Sequence, residues 1–280
     1  MIPLSIIDLL GYRFFQNALL GGVIAAAACA AVGLFLILKK EAMIGDGISH
    51  TAFGGIALGL LLGINPLLTA LTVSVLAVLG ISYMRRKNVA PSDSAIAVML
   101  ALGFSFGLIA ISIAGGFNVE LFSYLFGSIL TIDTFDLILV SLLGIIVLLF
   151  LGLFRRELLS LVFDEEDSRV MGIPTNTLSL AFDLLVATTI VLSIKVIGTV
   201  LVVALLVLPG LSALQLGMSF RKTILTAVSF SIISTVLGIL FSATFDVATS
   251  GLIVFTAALL FLLTLAYKKL GKEGKRKKTV

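Results

Sequence analysis

The sequence predicts an all-α polytopic membrane protein, with about eight to nine transmembrane helices, a short re-entrant or interfacial helix and a short cytoplasmic helix. Three observations carry that prediction. Of 280 residues, 60% are hydrophobic and 12% charged, with a mean hydropathy of +1.24, whereas soluble domains carry about 25% charged residues. So little charge cannot cover a water-soluble particle of this size. The apolar residues also fall in runs close to the ~20 residues that cross a bilayer as a helix. Finally, the 19 Lys and Arg are clustered, with pairs of apolar runs between successive clusters.

In chain order the uncharged or nearly uncharged runs are 17–38, 43–64, 67–84, 94–115, 137–154, 177–197, 199–218, 223–244 and 247–267. A tenth run, 117–132, is short and carries Glu120, which suits a re-entrant or interfacial piece on the outer side. The spans make one transmembrane domain, 1–270, followed by a basic tail, 271–280. The start, Met1-Ile2-Pro3-Leu4-Ser5, lacks the basic n-region of a cleaved signal and is read as mature sequence. Cys29 is the single Cys, so no intramolecular disulfide can form, and among alanines it reads as packing.

Topology follows from five basic groups: Lys39-Lys40, Arg85-Arg86-Lys87, Arg155-Arg156 with Arg169, Arg221-Lys222, and the tail from Lys268 to Lys278. Arg13 and Lys195 stand outside them. Two spans separate each group from the next, so all five fall on one face, and the positive-inside rule makes that face cytoplasmic. The C-terminus is then cytoplasmic. The N-terminus is outside with nine spans; eight remain if one of the two runs meeting at Gly198 does not cross. The net charge of +4 is explained by anchors against anionic lipid, without nucleic acid. Asp8, Glu120, Asp133, Asp136 and Asp246 fall at the outer ends and leave that face mildly acidic.

Function is sought among the ionisable residues that a bilayer excludes, at ~2.5–3.5 kcal/mol or more near a helix centre. Four qualify: Asp46, His50, Asp183 and Lys195. Asp46 and His50 are spaced i,i+4 and share one face of the second helix. A carboxylate oxygen and an imidazole nitrogen are ligands for a borderline divalent cation. The same spacing also fits a neutral His50 hydrogen-bonded to Asp46 and merely joining two helices. Asp183 lies at a similar depth in the sixth run. It is either a third ligand or a charge lining the exit, or else a carboxylate hydrogen-bonded to a neighbouring helix or paired with an interfacial Arg. Lys195, about 18 Å further along that helix, belongs near the outer end and reads as a snorkelling side chain. Downstream of His50 the second helix holds Gly54, Gly55 and Gly59, which permit close helix packing.

The charged segment 163–174 is the strongest polar interruption in mid-chain. Its acidic residues come first and Gly172 follows the last turn, as in a short helix with anions at its positive end and a glycine stop. Either it is a solvated loop, or it is an amphipathic helix offering Val170, Met171 and Ile173 to a cytoplasmic partner.

These residues carry a specific family resemblance. The run Gly45-Asp46-Gly47-Ile48-Ser49-His50-Thr51-Ala52-Phe53-Gly54-Gly55-Ile56-Ala57-Leu58-Gly59 resembles the signature of the membrane subunits of zinc/manganese/iron ATP-binding-cassette importers. The segments 123–130, 163–172 and 195–209 are similar to the same family and stand in its order, so the resemblance spans roughly residues 17 to 267. It implies that Asp46 and His50 are metal ligands, and it gives Asp183 no role. It also implies a coupling helix at Asp164, Glu165, Glu166, Asp167, Arg169, Val170, Met171 and Gly172. The implied assembly is a homodimer of the permease, two cytoplasmic ATPases and an extracellular metal-binding protein, in a prokaryotic plasma membrane. No prosthetic group is implied; the metal, zinc, manganese or iron, is cargo.

What is missing agrees. No G-x-x-x-x-G-K-[ST] phosphate loop occurs, so this chain has no ATPase site of that kind and energy must come from another subunit. With one His, the H-E-x-x-H of a membrane metalloprotease is impossible. The remaining rival is an ion-coupled secondary transporter of a small cation or polar solute, with Asp46, His50 and Asp183 relaying protons. It predicts two similar halves, and none is visible in the sequence.

Overall fold

In a bilayer each backbone N–H and C=O must be paired within the protein, and a single apolar run achieves this only as a helix. A computed structural model describes residues 11–116, 119–127, 132–245 and 247–276, at 119, 120 and 270–276 through the backbone alone. Among the described residues the regular elements are helices: α1 (Arg13–Leu38), α2 (Met43–Leu62), α3 (Pro66–Arg86), α4 (Ser92–Ile113), α5 (Val119–Phe126), α6 (Thr134–Leu153), α7 (Arg155–Phe163), α8 (Glu165–Val170), α9 (Thr175–Ile197), α10 (Thr199–Gln215), α11 (Phe220–Phe245) and α12 (Thr249–Arg276).

Seven of these, α1, α3, α4, α6, α9, α11 and α12, are long and apolar enough to cross a membrane. Two further helices occupy expected spans. In α2 the apolar run is diluted by Asp46, Ser49, His50 and Thr51. Helix α10 has 17 residues, about 26 Å, slightly under the ~30 Å hydrocarbon core. The eight residues of α5 make about 12 Å and cannot cross. The rest of the run expected as re-entrant, 117–118 and 128–131, lies outside the described residues, as do Asp8 and Asp246 and the Glu120 side chain. Helix α12 continues to Arg276, so the basic tail begins as helix; 277–280 lie outside the described residues.

Helix ends follow local chemistry. The Asn65 side chain caps α3, accepting from the N–H of Leu67 at 2.9 Å, with Pro66 at the first helical position. Asp133 and Asp136 exchange side-chain-to-backbone bonds as a capping box for α6, and the N–H donated by Asp136 holds the Asp133 carboxyl below the usual carboxylate range. At the junction of α9 and α10, Gly198 has φ +93, a conformation open to glycine. A Cβ there would lie 2.5 Å from the Phe126 carbonyl carbon, so the end of α5 is docked backbone to backbone at the break.

The interior is centred on α1 and α9. Both bury most of their surface, and Phe35 packs edge-on against Phe182 at 6.2 Å and Phe220 at 5.3 Å. Cys29 is fully buried, its Sγ 3.4 Å from Ser193 Oγ, a packing contact between these helices. Helix α2 packs against α3 and α4 through its glycines: a Cβ on Gly55 would fall 2.6 Å from Ala70 Cα, and one on Gly107 of α4 would fall 2.9 Å from Gly54 Cα. These direct backbone contacts fix how α2 sits on its neighbours.

Candidate functional site

Asp46 lies in the first turn of α2 and His50 one turn further on. Their Cβ atoms point to the same face, and His50 Nε2 stands 3.4 Å from Asp46 Oδ1. Both side chains remain open, His50 43% and Asp46 36% exposed. Phe104 of α4 meets the imidazole edge-on, with ring centroids 5.3 Å apart, and leans on Phe53 at 6.2 Å. One side of the ring is therefore supported by an aromatic wall. The neighbouring hydroxyls are engaged by the helix itself: Ser49 donates to Asp46 O at 2.9 Å and Thr51 to Gly47 O at 2.6 Å. Two such donors alone do not complete a coordination shell. Among the described residues no group of three or more His, Cys, Asp or Glu side chains is arranged to hold a metal ion.

Asp183, the other intramembrane carboxylate, belongs to a different constellation. It is 2% exposed, and its carboxylate is bonded by Arg85 and by Lys39, the latter at 3.4 Å. Lys39 also donates to Ser179 Oγ at 2.8 Å and sits 2.7 Å from Glu41, which accepts in turn from Arg85 at 2.6 Å. Two cations and two anions from the α1–α2 connection, α3 and α9 thus neutralise one another. Of the two sequence readings of Asp183, the geometry matches the one paired with an interfacial Arg. The cluster opens on a cavity of about 580 Å³ that is also lined by Arg86, Asn176 and the α8 residues Glu165 and Arg169.

At the far end of α9, Lys195 bonds the buried carboxylate of Asp136. Snorkelling alone does not describe it: the ammonium ties the end of α9 to the start of α6. The two ion clusters mark opposite ends of one helix, and they collect the helix ends that the basic groups assign to opposite faces.

The segment expected as a short helix is one. Helix α8 is capped by Asp164, whose side chain accepts from the N–H groups of Glu166 at 2.9 Å and Asp167 at 3.0 Å. Glu165, Glu166 and Asp167 fill its first turn and Arg169 its last. Gly172 follows with φ +84, its N–H donating to Arg169 O at 3.1 Å, a left-handed stop. Ser168 is fully buried and bonded to Ser160 of α7 at 2.8 Å, so the unit is braced from within. Val170 is 88% exposed and Met171 69%.

Sequence reasoning missed the partners of Asp183 and Lys195. They stand 144, 98 and 59 positions away, and the sequence carries no signal that joins them.

Comparison with known proteins gives the same architecture a lineage. The chain is 34% identical over 264 residues to the manganese import system permease protein ScaB of Streptococcus gordonii, covering 94% of this chain and 95% of that one. It is 32% identical over 265 residues to a probable iron transport system membrane protein of Haemophilus influenzae, covering 95% and 97%. Its fold superposes on the structure titled PsaBC from Streptococcus pneumoniae in complex with Fab with a TM-score of 0.82, at 31% identity, over 93% of this chain and 95% of that one. The family model described as ABC 3 transport family matches residues 11–268, and the chain belongs to that family.

Proposed function

We propose that this chain is the permease subunit of an ATP-driven importer of a divalent metal cation: manganese, zinc or iron. The observation that carries this reading is the Asp46–His50 pair, a carboxylate and an imidazole on one open face of a helix whose other face is packed tight. Relatives named for manganese and iron transport support the same cargo class. Two donors from one chain hold a cation loosely, as a path must that both binds and releases it.

The open face also favours a homodimer. A half-exposed carboxylate turned to lipid costs several kcal/mol, and a second copy facing it would replace lipid and double the donors. Asp183, held by two cations, is left outside the metal shell and braces the inner end of the path. We read nine spans, α1, α2, α3, α4, α6, α9, α10, α11 and α12, or eight if α10 does not cross. The N-terminus is outside and the C-terminus cytoplasmic, with 1–270 as one transmembrane domain and 271–280 as its basic tail. Residues Asp164 to Gly172 dock a separate ATPase, of which two serve the dimer, and an extracellular metal-binding protein delivers cargo to the mildly acidic outer face.

The test is reconstitution. The permease, purified with its ATPase and placed in proteoliposomes, accumulates manganese or zinc when ATP is supplied on the ATPase side. Accumulation driven by a proton or sodium gradient without ATP would overturn the reading in favour of a secondary transporter.

A further inference from the structure

A groove of about 400 Å³ runs between α6 and α11 over α1, lined by Phe35, Leu148, Leu151, Phe220, Ile224 and Val228, with Gly152 on its α6 side. Its walls pack on α1, whereas the helix bearing Asp46 and His50 packs on α3 and α4. The groove is therefore separate from the candidate metal site. Its lining is apolar except for Arg155, at the start of α7, and Arg221, at the start of α11. Neither guanidinium has an ion-pair partner among the described residues, and the lining includes no carboxylate. This contrasts with Arg85 and Lys39, whose charges are matched by Glu41 and Asp183.

We infer that this groove is a binding site for one anionic phospholipid of the cytoplasmic leaflet, its phosphate held by Arg155 and Arg221 and one acyl chain laid along the apolar floor. Dimensions support it. From Arg155 back to Leu148, and from Arg221 on to Val228, is about 10 Å of helix, so the charges sit at the headgroup level while the floor reaches into the hydrocarbon. Arg221 is the second residue of α11, so the positive end of that helix dipole adds to the attraction for phosphate. Basic pockets between membrane helices on the cytoplasmic side have this headgroup preference in general. Charge complementarity singles out an anionic lipid over a zwitterionic one. Because α7 leads directly into α8, the lipid would brace the corner from which the cytoplasmic helix projects.

Lipid retention reads this site whether or not the chain carries metal, so its failure is distinct from failure of the transport reading. The full chain, purified in mild detergent with its assembly intact, is titrated with phosphatidylglycerol or phosphatidylcholine and weighed by native mass spectrometry. Phosphatidylglycerol stays bound and phosphatidylcholine does not. Replacing both Arg155→Gln and Arg221→Gln weakens phosphatidylglycerol binding roughly 30-fold, from the loss of two headgroup contacts. Gly152→Leu adds bulk to the groove lining at a position where an added Cβ meets nothing within 4 Å, and removes the adduct with both charges in place. The matched control Lys40→Gln with Lys87→Gln leaves it. Equal retention of the two lipids, indifference of phosphatidylglycerol to Gly152→Leu, or its displacement by millimolar inorganic phosphate would each overturn the proposal. So would loss of a dimer mass in Gly152→Leu, which would make the groove a subunit contact.

Discussion

Asp46 and Asp183 sit within the first three turns of their helices, at the same end of the molecule, yet in opposite conditions. Asp183 is sealed and held by two cations that are themselves shared with Glu41. Asp46 is open, its nearest charged or titratable neighbour an imidazole at 3.4 Å. A buried carboxylate is tolerated when its charge is matched locally, and removing the match is costly. An open, incompletely satisfied pair keeps its lone pairs for something else. The difference teaches that chemistry should be sought where polar groups are left unfinished, and scaffolding where they are finished.

The largest effect that separates the two regions is loss of transport. Asp46→Ala or His50→Ala should abolish ATP-driven metal uptake while the amount of assembled protein in the membrane stays unchanged, as measured by radiometal accumulation against an immunoblot. Normal uptake at matched expression would end the assignment of the pair as ligands.

A second test, at the segment proposed to dock the ATPase, separates binding from drive. Proline fixes φ near −65°, which position 172, at φ +84, cannot supply. Gly172→Pro, or charge reversal at Glu165 and Glu166, should leave metal binding intact but stop ATP hydrolysis from driving uptake. Cysteines at Val170 or Met171 should crosslink to the ATPase subunit. Failure across the whole segment, with a working control elsewhere, would move the contact to another loop such as that following α3.

A third test breaks the sealed region. Arg85→Ala strands Asp183 and should cost about 3–5 kcal/mol, seen as a lower unfolding temperature and less folded protein. Combining Arg85→Met with Asp183→Leu should recover much of that loss, because the pair is scaffold. Uptake that stays at zero in a stable double variant would instead give Asp183 a direct part in the path.

The smallest effect lies at the outer end. Lys195→Ala leaves Asp136 buried without its cation, but Lys195 is 29% exposed and solvent already weakens the pair. A loss of about 1–3 kcal/mol is expected, again read as unfolding temperature. A cysteine at Lys195 should react with reagents added from outside, and labelling only from the cytoplasm would invert the span order.

Much of this was legible in the sequence because membranes impose coarse rules. Apolar length fixed where helices stand, and Lys39, Arg85, Arg155, Arg221 and Lys268 marked one face. The Asp46–His50 face followed from a spacing of four, and the capped, glycine-stopped α8 from charges in chain order. What was hidden is the pairing of charges across helices. Depth alone places Asp183 beside either a metal or an arginine. The choice depends on how Arg85 folds back toward α9, and no local pattern encodes that.

The glycine contacts of α2 have a consequence for how such a protein diversifies. Gly55 and Gly107 leave no room for a methyl group, so one side of the helix is closed to substitution by its neighbours' backbones. The Asp46 and His50 side chains stay partly open, 36% and 43% exposed, although Phe104 leans on the imidazole. If the proposed site is right, exchanging a carboxylate or an imidazole there should alter what cation is held while the backbone contacts of α2 with α3 and α4 stay in place. On that proposal, cargo preference would drift by single replacements on an unchanged frame.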